Sequence, residues 1–278
     1  MKILELFSGS RSIGKVAEKR EHSVFSVDNV DYPNTNWVGD ILDWDYRLNE
    51  MQVGDLGEFY VPDVIWASPP CTDFSVACIG KKWVSGHEFK PRDKDLLGLK
   101  ILEKTLEIIE FYLKENPNLI WYVENPRGKM RKAPHWKKFK HKRETITYCQ
   151  YGDTRMKPTD IWTNDTNWYP RAMCKNGDPC HISAPRGSRT GTQGLKGNHE
   201  RSKIPKDLCN AIIESAEELL DMIHTFCEQS ETHNGYNVKQ VKEYYLNSGF
   251  PRYLEEPFLS EYDDTDWIEH ANESELEL

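Results

Sequence analysis

Two short apolar runs, Ile3-Leu-Glu-Leu-Phe7 and Ser23-Val-Phe-Ser-Val27, are separated by a glycine-bearing turn and by enough chain for one helix. No other feature constrains the fold as strongly. A buried strand, the turn Ser8-Gly-Ser-Arg-Ser-Ile-Gly14, a helical stretch Lys15 to Arg20 and a second strand ending in Asp28 read as a βαβ unit, because parallel neighbours need such a crossover. The glycine lets a ligand approach the backbone, and an acid at the second strand end can accept from two ribose hydroxyls. The expected architecture is an open α/β sheet that binds a nucleotide-like ligand at its carboxyl edge.

Later segments extend that sheet. Gly39-Asp40-Ile41 follows a short extended segment, which places Asp40 at a third strand end. Pro62-Asp-Val-Ile-Trp-Ala-Ser68 is an apolar strand closed by Pro69-Pro70-Cys71, and Leu119-Ile-Trp-Tyr-Val123 is another, closed by Glu124-Asn125-Pro126. Leu102, Leu106, Ile109 and Leu113 mark an amphipathic helix that Asn116-Pro117 stops. Two more strands, Thr145–Cys149 and Asp160–Thr163, flank the turn 152–158. A strong helix is expected from Pro205 to about Cys227 on the apolar positions 208, 212, 216, 219, 223 and 226, and a short one near Val238–Leu246. Residues 75–94 read as a long polar loop, and 164–203 lack periodicity. The implied division is a core over 1–163, an irregular region over 164–201, a returning helix over 202–227 and an extension over 228–278.

The rigid Pro-Pro turn holds one thiol, Cys71, where open α/β folds bind ligands. A thiolate is the strongest side-chain nucleophile, so the position suits covalent catalysis, although a buried structural cysteine would read the same. Its company decides. Strand ends deliver Gly9, Asp28, Asp40, Cys71 and Glu124 to one edge of one sheet.

The order Leu6-Phe-Ser-Gly9, Asp28, Gly39-Asp40, Pro69-Pro-Cys71-Thr-Asp-Phe-Ser75 and Val123-Glu-Asn125 resembles the cytosine-C5 DNA methyltransferases, over roughly residues 1–163 and more loosely from Ser202 to Leu220. The resemblance implies an α/β fold of the S-adenosylmethionine-dependent (Rossmann-like) kind, helices on both faces and a small irregular annex. It implies S-adenosylmethionine as cofactor and DNA as partner. Carried over by position, Cys71 attacks C6, Glu124 stabilises charge developing at N3, Asn125 orients Glu124 or supports the Cys71 loop, and Arg155 contacts the base or a phosphate. A carboxyl with that task must carry a proton when the charge develops. Phe7 packs on the adenine, and Ser8, Gly9 and Ser10 line the methionine moiety. Asp28, with Asn29 beside it, holds the ribose. Asp40 takes the adenine amino group, Ile41 stacks beneath it, Pro69 floors the pocket and Ser202 returns to the cofactor.

The chain departs from the family pattern in places. Arg11 stands where the first motif usually has its second glycine, and Asp28 is shorter than the usual Glu. Pro126 replaces a Val, and the Gln-x-Arg-x-Arg motif reads Asp153-Thr-Arg155-Met-Lys157, with Gln150 as a displaced glutamine. The segment between Thr163 and Ser202 is short for a recognition region. That compactness resembles small phage-encoded methylases, such as those of restriction-modification, with relaxed or partner-assisted specificity. A target base in a duplex must be flipped out, and the loop 75–94 is the segment expected to close over it.

Net charge is −9, yet 10 of the 45 acids lie in 255–278, so the rest of the chain carries 36 basic and 35 acidic residues. Residues 127–143 hold nine Lys or Arg and no acid, a stripe suited to phosphates; a solvated face is the plainer reading. No run approaches the roughly 18 apolar residues of a membrane span. Seven cysteines without a framework and an amino terminus too polar for a leader fit a cytoplasmic protein, in a bacterial or phage-infected cell if the resemblance holds. Cys174, Cys180 and His181, with Cys149 upstream, are a candidate zinc set, but the spacing is not that of a standard finger, and adjacent Cys and His strain one tetrahedral site. Ordinary thiols and no metal are the expectation. Two alternatives stand beside DNA methylation: the same chemistry on RNA such as tRNA, and a catalytically weak DNA-binding regulator.

Overall fold

The computed structural model describes residues 1–47, 61–85, 89–175, 177–183 and 197–232, the side chains at 77, 198 and 226–232 excepted. The expected helix at 238–246, the acidic tail and, within 164–201, residues 176 and 184–196 lie outside the described residues.

Seven strands form one sheet in the order β3-β2-β1-β4-β5-β7-β6. They are β1 (Lys2–Leu6), β2 (Ser23–Asp28), β3 (Trp37–Val38), β4 (Val64–Ala67), β5 (Ile120–Pro126), β6 (Lys142–Thr147) and β7 (Pro158–Thr163). β1 to β5 run parallel, whereas β7 is antiparallel to both β5 and β6. The reversal has a functional consequence. It brings the amino-terminal end of β7, with Lys157 just before it, to the edge where β4 and β5 end. The chain leaves β1 toward β2 on one side and later returns to β4 on the other, so the turns after β1 and β4 flank the switch point where such sheets bind ligands.

Alternation sorts the strand side chains onto two faces. Leu4, Leu6, Ile65, Ala67, Trp121 and Val123 pack with helix α2 (Leu97–Glu115). Ile3, Val64, Trp66, Ile120 and Tyr122 pack with α1 (Ser12–Lys19) and the long α4 (Lys206–Thr232). A five-residue α3 (Asn198–Ser202) precedes α4. Helices therefore cover both faces, as the resemblance implies. In α4 the positions 208, 212, 216, 219 and 223 are all buried, and Asn116 closes α2 with its amide on the Tyr112 carbonyl at 2.7 Å. None of the described helices is long and apolar enough to cross a membrane.

Three expectations need correction. β6 begins at Lys142, not Thr145, because Lys142–Thr147 pair residue for residue with Pro158–Thr163, so the sheet absorbs the end of the basic stripe. The core does not end at Thr163. Asp165 is fully buried, accepting from Ser215 Oγ at 2.7 Å and from the Tyr122 hydroxyl, and Trp168 lies in the core as well. The loop 75–94 is more built than its polarity suggests: Trp83 is fully buried against Phe74 and Phe89, and its indole donates to the Asp73 carbonyl at 2.5 Å.

Candidate active site

The turn that carries Cys71 is held from several sides. Cys71 opens a 3-10 turn, Cys71–Asp73, directly after Pro70. Asn125 on β5 donates from Nδ2 to the Pro69 carbonyl at 2.8 Å. Phe74 is buried, and its carbonyl accepts the Lys129 amide at 2.8 Å. A Cβ at Gly128 would lie 2.3 Å from that same carbonyl, so only glycine permits the approach. Asp73 accepts the Gly98 amide at 2.8 Å and pairs with Lys82, which ties the turn to the start of α2. Cys71 is left half-buried at the sheet edge.

Glu124 is buried on the opposite sheet face from Asn125. Its Oε1 accepts the Tyr148 hydroxyl at 3.0 Å and lies 3.9 Å from Lys157 Nζ. Lys157 Nζ also donates to the Tyr148 oxygen and to the Arg201 carbonyl, both at 3.3 Å. Burial drives the Lys157 ammonium pKa down, opposed by the negative charge of Glu124. Burial and then Glu124 push the Cys71 thiol up, while Lys157 and Arg201 push it down. The Tyr148 phenol is held well above its usual value by burial and by Glu124, so it stays a donor. A thiol, a carboxyl and a buried ammonium thus share one field.

Lys157 and Tyr148 went unassigned in the sequence. The signal for Lys157 was its place two residues after Arg155, in an Arg-x-Lys that copies the spacing of Arg-x-Arg. Arg155 itself does not face Cys71. Its Nε lies 2.9 Å from Asp153 Oδ1, and its Nη1 and Nη2 donate to the carbonyls of Arg201 at 3.0 Å and Lys203 at 3.2 Å. With four of its five N–H donors on Asp153 and that backbone, Arg155 fixes the segment leading into α4. Gln150 is not at the reaction edge: its amide faces Cys180 Sγ at 3.5 Å.

The residues expected to hold the cofactor lie mainly on the turn after β1. Phe7, Gly9 and Arg11 all adopt positive φ, at 57°, 48° and 52°, which curls the backbone into a tight turn whose Ser8 and Arg11 amides are held by the Val27 and Ser8 carbonyls at 3.0 and 2.7 Å. Left-handed geometry costs a residue with a Cβ roughly 1 kcal/mol or more. Arg11 keeps the glycine-like conformation because its side chain is locked: Nε donates to Ser26 Oγ at 2.9 Å, and Nη2 meets Glu18 at 2.5 Å. Beneath it the buried Glu5 accepts the Ile13 amide at 3.2 Å and caps α1. Asp28 accepts the Gly9 amide at 2.8 Å on one oxygen and the Val30 amide at 2.9 Å on the other, leaving a lone pair on each. Asn29 beside it is exposed.

These residues fit the methyl donor that the resemblance implies. Ser8 Oγ is buried with no partner among the described residues. A Cβ placed on Gly9 would meet nothing closer than the Phe7 carbonyl at 3.9 Å, so the glycine faces open space. Phe7 is half-buried beside it, and Pro69 is buried. Exposed Asp40 caps its own turn through the Leu42 amide at 3.0 Å, and Ile41 is buried below. Two serines are otherwise engaged. Ser10 Oγ pairs with Ser12 Oγ at 2.8 Å, and Ser202 is exposed, its hydroxyl on the His199 carbonyl at 2.8 Å. The link from this segment to the cofactor turn is made instead by the Ile204 amide to Ser12 Oγ, at 3.2 Å.

The basic stripe is not a helix face. It folds into two 3-10 turns, Lys129–Lys132 and Pro134–Lys138, followed by β6. Arg127, Lys132, Lys137, Lys138, Lys140 and Arg143 are exposed. The other three serve the fold: Lys129 is buried, Arg131 pairs with buried Asp160 at 2.5 Å, and Lys142 holds the Trp168 carbonyl. The set Cys149, Cys174, Cys180 and His181 converges, with all four ligand atoms within 4.8 Å of one another.

No protein-family model matches the chain. It is 32% identical over 189 residues to a probable DNA (cytosine-5)-methyltransferase of Frog virus 3, covering 65% of this chain and 78% of that protein. Among solved structures, the Entamoeba histolytica methyltransferase EhMeth is 12% identical with a TM-score of 0.39, covering 59% of this chain and 52% of its own. A DNMT2 mutant of Spodoptera frugiperda is 17% identical with a TM-score of 0.38, covering 58% and 49%. A putative DNA modification methyltransferase from an Escherichia coli prophage is 17% identical with a TM-score of 0.38, covering 74% and 66%. The chain thus spans about half the length of the first two structures.

Proposed function

The chain belongs to the DNA (cytosine-5)-methyltransferase family, and on that premise we propose that it methylates C5 of cytosine in DNA through a covalent bond between Cys71 and C6. The observation that carries the reading is the meeting of Cys71, Glu124 and Lys157 at one sheet edge, beside a turn built for a nucleoside.

Cytosine C5 is a poor nucleophile, so the ring must be activated first. Cys71 Sγ passes its proton, by way of water, to the Glu124 carboxylate and adds to C6, and the C5=C6 electron pair moves toward C5 with negative charge spread to N3 and O2. Glu124, oriented by the Tyr148 hydroxyl, sits at N3 and supplies the proton that neutralises this charge. Lys157 offers the positive charge that offsets Glu124 and favours the thiolate. Asn125 keeps the thiol in line by its hold on Pro69. When bound, S-adenosylmethionine would supply the methyl group that C5 takes up, the electron pair of the broken S–CH3 bond staying on sulfur in S-adenosylhomocysteine. The C5 proton then passes to a base, for which water serves, the Cys71 thiolate leaves as C5=C6 reforms, and the N3 proton returns to Glu124. Phe7, Ser8, Gly9 and Asp28 hold the donor, with Asn29, Asp40, Ile41 and Pro69 around it.

A duplex target has to be flipped to reach Cys71. Arg127, whose amide reaches the Pro158 carbonyl, stands at the reaction edge, and the exposed cations toward Arg143 lead along β6 away from it, suiting phosphates farther along the duplex. Residues 1–168 act as the catalytic core and 169–201 as a reduced recognition region, in the cytoplasm of the cell that holds the DNA. Tritiated methyl transfer to duplex DNA and, separately, to tRNA tests the substrate. Label recovered from DNA as 5-methylcytosine supports the reading; label on tRNA alone moves the same chemistry to RNA, and label on neither overturns it.

A further inference from the structure

The recognition region begins on a segment without a core of its own. Tyr169, Met173 and Ile182 are exposed to 59%, 42% and 62%, yet Cys174 between them is buried. The segment turns inward at this cysteine because its amide donates to Thr147 Oγ1 at 3.1 Å, at the end of β6. There Cys174 meets Cys149, which follows Tyr148 directly.

The distances at that meeting point are those of a metal cage. Cys180 Sγ lies 3.7 Å from Cys149 Sγ and 3.6 Å from His181 Nδ1, and Cys174 Sγ lies 3.7 Å from the same nitrogen. Ligands held tetrahedrally at the usual zinc distances, about 2.3 Å for sulfur and 2.0 Å for nitrogen, lie about 3.5 to 3.8 Å apart. The Cys149 to Cys174 separation of 2.9 Å is shorter, but far longer than the roughly 2.05 Å of a disulfide. The adjacent pair Cys180-His181 does not strain the arrangement, because the imidazole turns Nδ1 to the side on which Cys180 points. Nε2 is 3.5 Å from the Gly177 amide, a contact long enough to give way when that nitrogen carries the proton.

We propose that Cys149, Cys174, Cys180 and His181 bind one zinc ion, a structural site that staples the start of the recognition region to the wall of the reaction centre. Three thiolates and an imidazole are a closed, soft donor set that selects zinc over hard cations and leaves no open position for chemistry. The metal supplies ordering that the segment cannot obtain from apolar burial. One ligand neighbours Tyr148, which holds Glu124, so the ion also fixes that wall. The site stands whether or not the chain methylates DNA.

The test uses the full chain, purified under reducing conditions with zinc supplied and then desalted. Elemental analysis is expected to give one zinc per chain. Replacement by cobalt(II) is expected to give the intense visible d–d bands of a tetrahedral site with sulfur-to-metal charge transfer. Cys180→Ser and His181→Ala, on the solvent side, are expected to keep the fold by circular dichroism and to lower retained zinc at least tenfold. Chelation is expected to speed proteolysis within residues 169–201 without unfolding the sheet. Retention of less than a tenth of an equivalent of zinc by folded wild type, octahedral cobalt spectra, or full zinc in both variants would overturn the proposal. So would a Cys149–Cys174 disulfide that persists under reductant.

Discussion

Asn125 Nδ2 donates to the Pro69 carbonyl at 2.8 Å, joining the strand that presents Glu124 to the turn that presents Cys71. One buried amide therefore sets the relative position of thiol and carboxyl. Asn125→Ala leaves that carbonyl unpaired and is expected to destabilise the protein by about 1–3 kcal/mol. It should lower kcat more than it raises KM for S-adenosylmethionine, whose cradle we assign to the turn after β1. Steady-state kinetics and thermal melting read both effects. An unchanged kcat in a folded variant would show that the tie does not position Cys71.

Lys157 opposes both burial and Glu124 in setting the Cys71 thiol. Removing that charge in Lys157→Met leaves only the weaker lowering pull of a backbone hydrogen bond and Arg201 against burial and Glu124, so the thiol titrates at still higher pH. Alkylation by iodoacetamide should slow at pH 8 and its pH profile should move to the alkaline side, with kcat falling on the order of 10²-fold. Lys157→Arg keeps the charge and is expected to restore much of the profile. Superimposable wild-type and Met profiles would remove Lys157 from the mechanism.

The parallel half of this sheet was legible because each strand is an apolar run closed by a residue that can only sit at an edge: Asp28, Pro69-Pro70 and Glu124. The helical period of α2 and α4 was equally plain. What escaped were contacts made across the chain. Arg155 looked like a ligand contact because it is a cation in a motif, but its partners are Asp153 and carbonyls 46 and 48 residues away, invisible to local pattern. Lys157 reaches Glu124 only because β7 runs backward. Arg11 in a glycine position signalled a changed loop, whereas its guanidinium is what preserves the loop, through Ser26 on the next strand.

Burial pushes the Glu5 carboxyl up to about 7 from its usual 4.5, against the lowering pull of the Gly14 amide and Arg11. The folded value lies above the unfolded one, so between these limits the folded chain holds a proton that the unfolded chain has lost. The contribution is complete below about 4.5 and is lost as pH rises through about 7, on the order of 3 kcal/mol in all. Glu5→Gln removes the titration. Urea unfolding at pH 5 and pH 8 should show the variant losing less stability over this interval than the wild type. Parallel losses would place the proton elsewhere.

The cations Lys132, Lys137 and Lys138 are exposed. Changing all three to Gln should leave the melting temperature within a degree or two. The slope of log affinity for duplex DNA against log salt should fall by about 0.9 for each phosphate no longer neutralised, about 2 to 3 in all. An unaltered slope in filter binding would move the DNA path away from this surface.

The bond between Cys71 and C6 of cytosine can be trapped. Fluorine at C5 cannot leave as a proton does, so the covalent complex should accumulate after methyl transfer. Duplex DNA carrying 5-fluorocytosine, incubated with S-adenosylmethionine and the full chain, is expected to give a denaturation-resistant protein–DNA band whose tryptic mass places the base on Cys71. Cys71→Ala should give no band while remaining folded. A band of equal yield without Cys71, or none from active wild type, would contradict covalent catalysis by this thiol.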